Sequence, residues 1–447
     1  MAAQFRGAAA TKLLDGGRLD GDESRVPGNL LSVRSQDDAA PAAIHEFTSE
    51  TGFKRRNTPT DGRMFDAELL CCTQQRSRLR QRQEMPKVVP VELCEIFPNH
   101  CASIGNFSPI RPSPSLSQPR RTRAMTDQII WLNAPGDITQ FHVEQHQCED
   151  PGHGEIRIRH EAIGTNFLDV YHRKGLYPMP SYPSVIGAEA AGIVEDVGPG
   201  VSMFERGDRV AYAGPPVGAY RTTRNIAAER VIKLPDAISA KTAASSLLKG
   251  MTAYMLLKKT YNVRAGNHVL IHAAAGGLGS ILVRWAKSLE ATVIGTVGSS
   301  EKAALAASCG ADHLIVGRGA DIVAEVKRLT NGLGVDVAYD GIGGATLLKS
   351  IRSVRPFGMA VTIGQAAGAI PPVPVEELRP GKALCHPSIM AWCADVGQYR
   401  EAAVAAIRAM ETGIVSRIGA EYRLADVAKA HEEMESGRAS GSILLIP

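Results

Sequence analysis

The chain has 447 residues, 44% of them hydrophobic, and a formal net charge of +4 at pH 7, enough material for a large core and two or three domains. No run of about eighteen apolar residues occurs, so no membrane partner is expected. Residues 1–124 hold 18 Lys+Arg against 14 Asp+Glu, the entire excess, which leaves the rest neutral and argues against a nucleic-acid partner. The eight cysteines lack disulfide or metal-ligand spacing, which fits a reducing, cytoplasmic setting.

Residues 1–124 mix Gly, Ser, Pro and Arg without sustained periodicity, as in Arg111-Pro-Ser-Pro-Ser-Leu-Ser-Gln-Pro-Arg-Arg-Thr-Arg123, and are predicted to be a low-order N-terminal extension. A short helix is expected near Met64 to Cys72, and Arg76, Arg78, Arg80 and Arg82 read as a solvated basic run. No apolar core segment precedes Asp15, so no secretory signal is expected. Met125 stands just before the first clear strand, and the expectation is that the natural chain starts there, the extension being a gene-model artefact. An intact mass of the native protein that includes residues 1–124 would contradict this.

From Gln128 to about Leu248 short strands alternate with turns: Ile129–Leu132, Phe141–Glu144, Glu155–Glu161 and Ala190–Val197, punctuated by Pro135-Gly136, Pro151-Gly152 and Gly198-Pro-Gly200. This predicts a β-rich catalytic domain over 125–250. After Gly250 the pattern becomes alternating βα units, with Val335–Asp340 and Met359–Gly364 as later strands of one parallel sheet, which predicts a doubly wound α/β domain over 251–385. Residues 386–447 are expected to return to the catalytic domain, with a helix at Tyr399–Met410, a strand at Ser416–Tyr422 and a helix at Ala425–Met434. The terminal Ser442–Pro447 is placed against the cofactor domain or a partner.

The chain is organised around His268-Val-Leu-Ile-His-Ala-Ala-Ala-Gly-Gly-Leu-Gly279, where an apolar strand runs into a turn of small residues that opens a helix. Gly276, Gly277 and Gly279 suit the tight turn, the close approach of a pyrophosphate and helix packing, and a second strand at Ala291–Val297 completes a βαβ unit. That strand ends in Gly298-Ser-Ser-Glu-Lys302. A carboxylate at this tip would accept from a ribose 2′-hydroxyl and repel a 2′-phosphate. Gly298 and Ser299 stand there instead, with Lys302 close behind, so the site suits NADP.

Several segments together resemble one family: Asn166-Phe-Leu-Asp-Val-Tyr171, Gly175-Leu-Tyr177, Gly187-Ala-Glu-Ala-Ala-Gly-Ile-Val-Glu-Asp-Val-Gly198, Gly207-Asp-Arg-Val210, Leu248-Lys-Gly-Met-Thr252, Ala273–Gly279 and Ser442–Pro447. They are similar to the zeta-crystallin-like quinone oxidoreductases, the zinc-free branch of the medium-chain dehydrogenase/reductase superfamily, over nearly all of 127–447. The resemblance implies a GroES-like catalytic domain, a Rossmann domain, a homodimer, and NADPH-dependent reduction of quinones in the cleft. It further implies that Asn166 and Thr252 meet the nicotinamide half, and that Ala275, Gly276, Gly277 and Leu278 hold the pyrophosphate. Gly298, Ser299 and Lys302 would take the 2′-phosphate, with Arg438 reaching the cofactor, while Tyr171 and Tyr177 line the quinone pocket. Gly341 and Gly364 belong to loops that depart from the family pattern, and Val316-Gly-Arg318 replaces a common tyrosine, so Arg318 is expected to stack on adenine or pair with phosphate.

A zinc alcohol dehydrogenase on the same fold would need Gly-His-Glu where this chain has Gly187-Ala188-Glu189, so no metal site is expected, and His153, His160 and His172 read as surface or packing residues. Without a Lewis acid the acceptor must itself take the hydride, as a quinone does when its ring becomes aromatic. Tyr171 or Tyr177 could donate to a quinone oxygen, with Asn166 beside them, or both rings could only shape the pocket. Two alternatives stay open: reduction of α,β-unsaturated carbonyls, and a non-catalytic NADPH-binding protein.

Overall fold

The structure, a computed structural model, describes residues 127–447, so the expectations for the N-terminal extension, its helix and its basic run lie outside the described residues. A hairpin of β1 (Gln128–Leu132) and β2 (Phe141–Gln145) opens the first domain. Its sheet is built on β3 (Glu155–Gly164), β4 (Glu189–Val197), β5 (Arg209–Ala213), β6 (Thr223–Ala227) and β7 (Ile232–Lys233), paired antiparallel, with the helix α1 (Phe167–Arg173) between β3 and β4. Alternation along β3 sends Ile156 and Ile158 into the core, while Arg157 and Arg159 face out to Asp196 and Asp127.

Helix α2 (Ala240–Tyr254) follows, where the sequence reading continues strands and turns to Leu248. Ser239 caps it by accepting from the Thr242 N–H at 3.1 Å. Nearly every residue of α2 is buried, so no polar face marks a helical period in the sequence. The boundary at residue 250 falls inside this helix.

The second domain runs β8 (His268–Ile271), α3 (Gly277–Ser288), β9 (Thr292–Val297), α4 (Ser300–Ser308), β10 (His313–Val316), α5 (Ile322–Leu329), β11 (Val335–Asp340), α6 (Thr346–Ser353), β12 (Val354–Thr362) and β13 (Ala383–Cys385). All six strands are parallel, in the order β10-β9-β8-β11-β12-β13. This is the doubly wound arrangement the βα alternation predicts, and the order reverses between β8 and β11, which opens a crevice beyond their carboxyl ends. Val269, Leu270, Ile271, Val337 and Ala338 are fully buried, as a parallel sheet covered on both faces requires.

After α7 (Ile389–Trp392), α8 (Val396–Glu411) packs on α2, with Ala406 close against Gly250. The chain then returns through β14 (Ile418–Arg423), α9 (Val427–Glu435) and β15 (Ser442–Ile446). The last strand lies in the sheet of the first domain and not against the cofactor domain: β15 is parallel to β14 and antiparallel to β3, pairing Leu444 with Gly164. Four of its five residues are buried, as in a strand covered on both faces.

Helix α9 carries His431 into the first core, where its Nε2 lies 3.0 Å from the Tyr220 hydroxyl, which donates to Asp169 at 3.1 Å. Burial, with Arg173 adding repulsion, pushes His431 down to about 3, and burial pushes Asp169 up to about 7 against the hydrogen bonds from Asn166 and Tyr220. The two act in opposite directions. The neutral imidazole stabilises the fold fully above its unfolded value of 6.5 and that contribution is lost as pH falls toward 3, whereas the protonated Asp169 loses its contribution as pH rises through 7. Between pH 7 and pH 5 the wild type should therefore lose about 2 kcal/mol that His431→Gln does not lose. Urea unfolding of both proteins at the two pH values checks this, and equal losses would refute it.

Candidate functional site

The turn after β8 is shaped by close approaches that exclude side chains. Ala273 adopts φ +50°, and its carbonyl accepts from the Gly276 N–H at 2.8 Å. A Cβ on Gly279 would lie 2.1 Å from that same oxygen, so only glycine fits in the first turn of α3. Gly276 caps α3, Gly277 and Leu278 begin it, and the Ala275 carbonyl accepts from the Gly441 N–H at 3.2 Å. The free N–H groups at the start of a twelve-residue helix, with almost no side chain over them, make a seat for a pyrophosphate.

At the tip of β9, Gly298 is exposed and Ser299 caps α4. The Lys302 ammonium donates to the Gly437 carbonyl at 2.7 Å, and the Arg318 guanidinium passes beside both Gly298 and Gly437. Arg438 is exposed next to that carbonyl. Burial and the charge of Arg318 push the Lys302 ammonium down from its ordinary value. Among the described residues none of these three cations has a carboxylate partner. Cations gathered without a counter-charge at a helix start suit a phosphate group.

A third set of these residues lies where α1, α2 and β4 meet the second domain. Asn166 begins α1, its amide donating to Glu189 at 2.9 Å and its backbone N–H to Asp169 at 2.9 Å. Glu189 has no exposed surface and also accepts from Lys249 at 2.7 Å and from the Leu248 N–H at 2.8 Å. One turn on, the Thr252 hydroxyl donates to the Leu248 carbonyl at 2.7 Å and keeps an acceptor lone pair. The Tyr171 oxygen accepts from the Gln365 N–H at 2.8 Å, and a Cβ on Gly364 would come within 2.9 Å of it. Its ring meets Tyr177 edge-on at 5.4 Å, and Tyr177 is 37% exposed. Gly341 leaves open space beside Gly364. Through these contacts Asn166 and Thr252 are joined by way of Glu189 and Leu248, and Tyr171 is joined to Tyr177, Gly364 and the neighbouring Gly341. His160 and His172 are buried, with His160 held by the Arg221 carbonyl and Tyr212.

Glu189, Lys249 and Gln365 were not singled out by sequence. A lysine inside the otherwise small and apolar Ala243–Ala253 stretch was the available signal. A surface cavity of about 380 Å³ lined by Asp127, Cys148, Arg157, Arg159 and others contains none of these residues.

A GroES-like β domain joined to a doubly wound dinucleotide fold, with the crevice between them, defines a medium-chain dehydrogenase/reductase. Residues 152–236 match the family described as alcohol dehydrogenase GroES-like domain, and 277–401 that described as zinc-binding dehydrogenase. Quinone oxidoreductase 1 of Escherichia coli is 42% identical over 303 residues, covering 67% of this chain and 93% of its own. A 2-haloacrylate reductase of a Burkholderia species is 40% identical over 326 residues, covering 71% of this chain and 98% of its own. The solved Escherichia coli quinone oxidoreductase complexed with NADPH superposes with a TM-score of 0.68 at 39% identity, covering 72% of this chain and all of that one. The chain belongs to the quinone oxidoreductase family of the medium-chain dehydrogenase/reductases.

The zinc in one family description finds no suitable donors here. Ala188 offers no ligating atom, and both oxygens of Glu189 are already taken, one by the Lys249 ammonium. Among the described residues no group of three His, Cys, Asp or Glu side chains comes together. A dinucleotide does fit: the glycine-rich helix start at Gly276–Gly279 and the cations at the start of α4 suit a pyrophosphate and a 2′-phosphate. Lys302→Ala should weaken NADPH by roughly tenfold to hundredfold and leave NADH within about twofold. Calorimetry with both coenzymes decides it, since equal losses would remove Lys302 from the 2′-phosphate seat.

Proposed function

We propose that this protein is an NADPH:quinone oxidoreductase that works without zinc. The bound coenzyme supplies a hydride from its nicotinamide ring. Asn166 and Thr252 hold the nicotinamide half, Ala275 to Leu278 the pyrophosphate, and Ser299, Lys302, Arg318 and Arg438 the 2′-phosphate end.

The observation that carries the reading is the placement of Tyr171. Its oxygen accepts from Gln365 across the domain junction, which leaves its own proton free to point into the crevice. Burial raises its pKa, so the hydroxyl keeps that proton at neutral pH and stays a donor. Such a donor meets a quinone oxygen as charge develops on it, while the Tyr171–Tyr177 pair walls one side of the pocket and excludes water. The related 2-haloacrylate reductase favours a second reading, reduction of an activated carbon–carbon double bond, in which the same hydroxyl would serve a carboxylate or carbonyl oxygen.

A screen of 1,4-benzoquinone, 9,10-phenanthrenequinone, an enal and a haloacrylate with NADPH and NADH tests this. Quinone turnover with NADPH is expected. Turnover confined to the enal or haloacrylate would establish the second reading, and NADPH binding without turnover of any acceptor would make the protein a binder only. Tyr171→Phe should lower kcat with quinones by roughly tenfold to hundredfold at unchanged NADPH affinity. An unchanged kcat would reduce Tyr171 to a wall of the pocket.

A cytoplasmic setting and a homodimer belong to the same proposal. The first rests on cysteines scattered without disulfide spacing. The second rests on family likeness and on β13, which pairs with β12 on one side and has no strand on its other side among the described residues. Light scattering should give twice the chain mass, and a monomer at assay concentrations would remove the dimer.

A further inference from the structure

We propose that Lys249 and Glu189 form a positioning pair that fixes the Asn166 carboxamide with its oxygen toward the nicotinamide half of the coenzyme, where it accepts from a ribose hydroxyl or the nicotinamide amide. The inference rests on the function proposed above and deepens it. Glu189 offers only acceptors, and Oε1 takes both the Asn166 amide at 2.9 Å and the Lys249 ammonium at 2.7 Å, while Oε2 takes the Leu248 N–H at 2.8 Å. An amide facing a carboxylate must present its NH2, so the Asn166 oxygen is turned to the other side. The orientation that decides whether Asn166 reads a donor or an acceptor is therefore set 23 positions away in sequence, by Glu189.

Lys249 ties this arrangement to the coenzyme seat. Its side chain is 10% exposed, and its Cε and Cδ lie 3.0 and 3.1 Å from where a Cβ on Gly277 would stand, so the stem runs under the first turn of α3. The ammonium one bond further on is held by Glu189. Glycine at 277 keeps the stem in place as well as clearing the approach to the backbone.

The test compares NADPH with 2′,5′-ADP, which carries the 2′-phosphate but no nicotinamide half, by calorimetry on the full chain. Lys249→Met should weaken NADPH by roughly tenfold to hundredfold and leave 2′,5′-ADP within about twofold, and Lys249→Arg should restore part of the loss. Adding Lys249→Met to Asn166→Ala should cost no further NADPH affinity, because the lysine acts through the asparagine. Parallel loss of both ligands, no loss of either, or additive effects in the double variant would overturn the proposal. Truncating a buried pair endangers folding. If Lys249→Met does not accumulate, Glu189→Gln, nearly equal in volume, is expected to show the same selective loss of NADPH, and a parallel loss there would overturn the proposal equally. A wild type that binds NADPH and reduces no quinone would remove the function reading and leave this pair in place.

Discussion

A carboxylate with no exposed surface, satisfied by three donors, holds the crevice of this protein together. Glu189 sits on β4 and receives its hydrogen bonds from the start of α1 and from two consecutive residues of α2. Burying such a charge is costly unless it is paired and fully hydrogen-bonded, and here both conditions are met. Even the strand beside it is adjusted, since a Cβ on Gly164 would lie 2.5 Å from a Glu189 oxygen. The same hydrogen bonds that order Asn166 leave neither Glu189 oxygen without a donor.

The second domain solves a different problem, the approach of an anion to bare backbone. Its means are steric: the left-handed Ala273 and the contact between Gly279 and the Ala273 carbonyl bring the start of α3 against the end of β8. The returning C-terminal chain then contributes on both ends of the crevice, through Gly441 on Ala275 and Gly437 on Lys302. Because α9 and β15, which flank this loop, pack in the first domain, the seat is built from both halves of the fold.

What the sequence makes legible follows the range of the interactions involved. The glycine turn, the parallel strands around it and the basic tip at Lys302 are local patterns, in which a steric or electrostatic requirement limits the residue at each position. The strands Ile129–Leu132 and Phe141–Glu144 are legible as short strand-like stretches between turns, and the structure extends each by one residue. Helix α1, with seven residues, is too short to show a period, and α2 is buried nearly all round. The Glu189–Lys249 pair and the His431–Tyr220 contact join positions 60 and 211 apart, and no local pattern announces them.

The central claim is that a crevice without metal passes a hydride from NADPH to a quinone. It is tested most directly by a single turnover: protein loaded with one equivalent of NADPH is mixed with 1,4-benzoquinone in the presence of a strong chelator, and the reduced-nicotinamide absorbance is followed. The account predicts loss of one equivalent of reduced coenzyme per site at a rate the chelator leaves unchanged. Absorbance that persists, or a rate that collapses with chelation and returns with zinc, would contradict it.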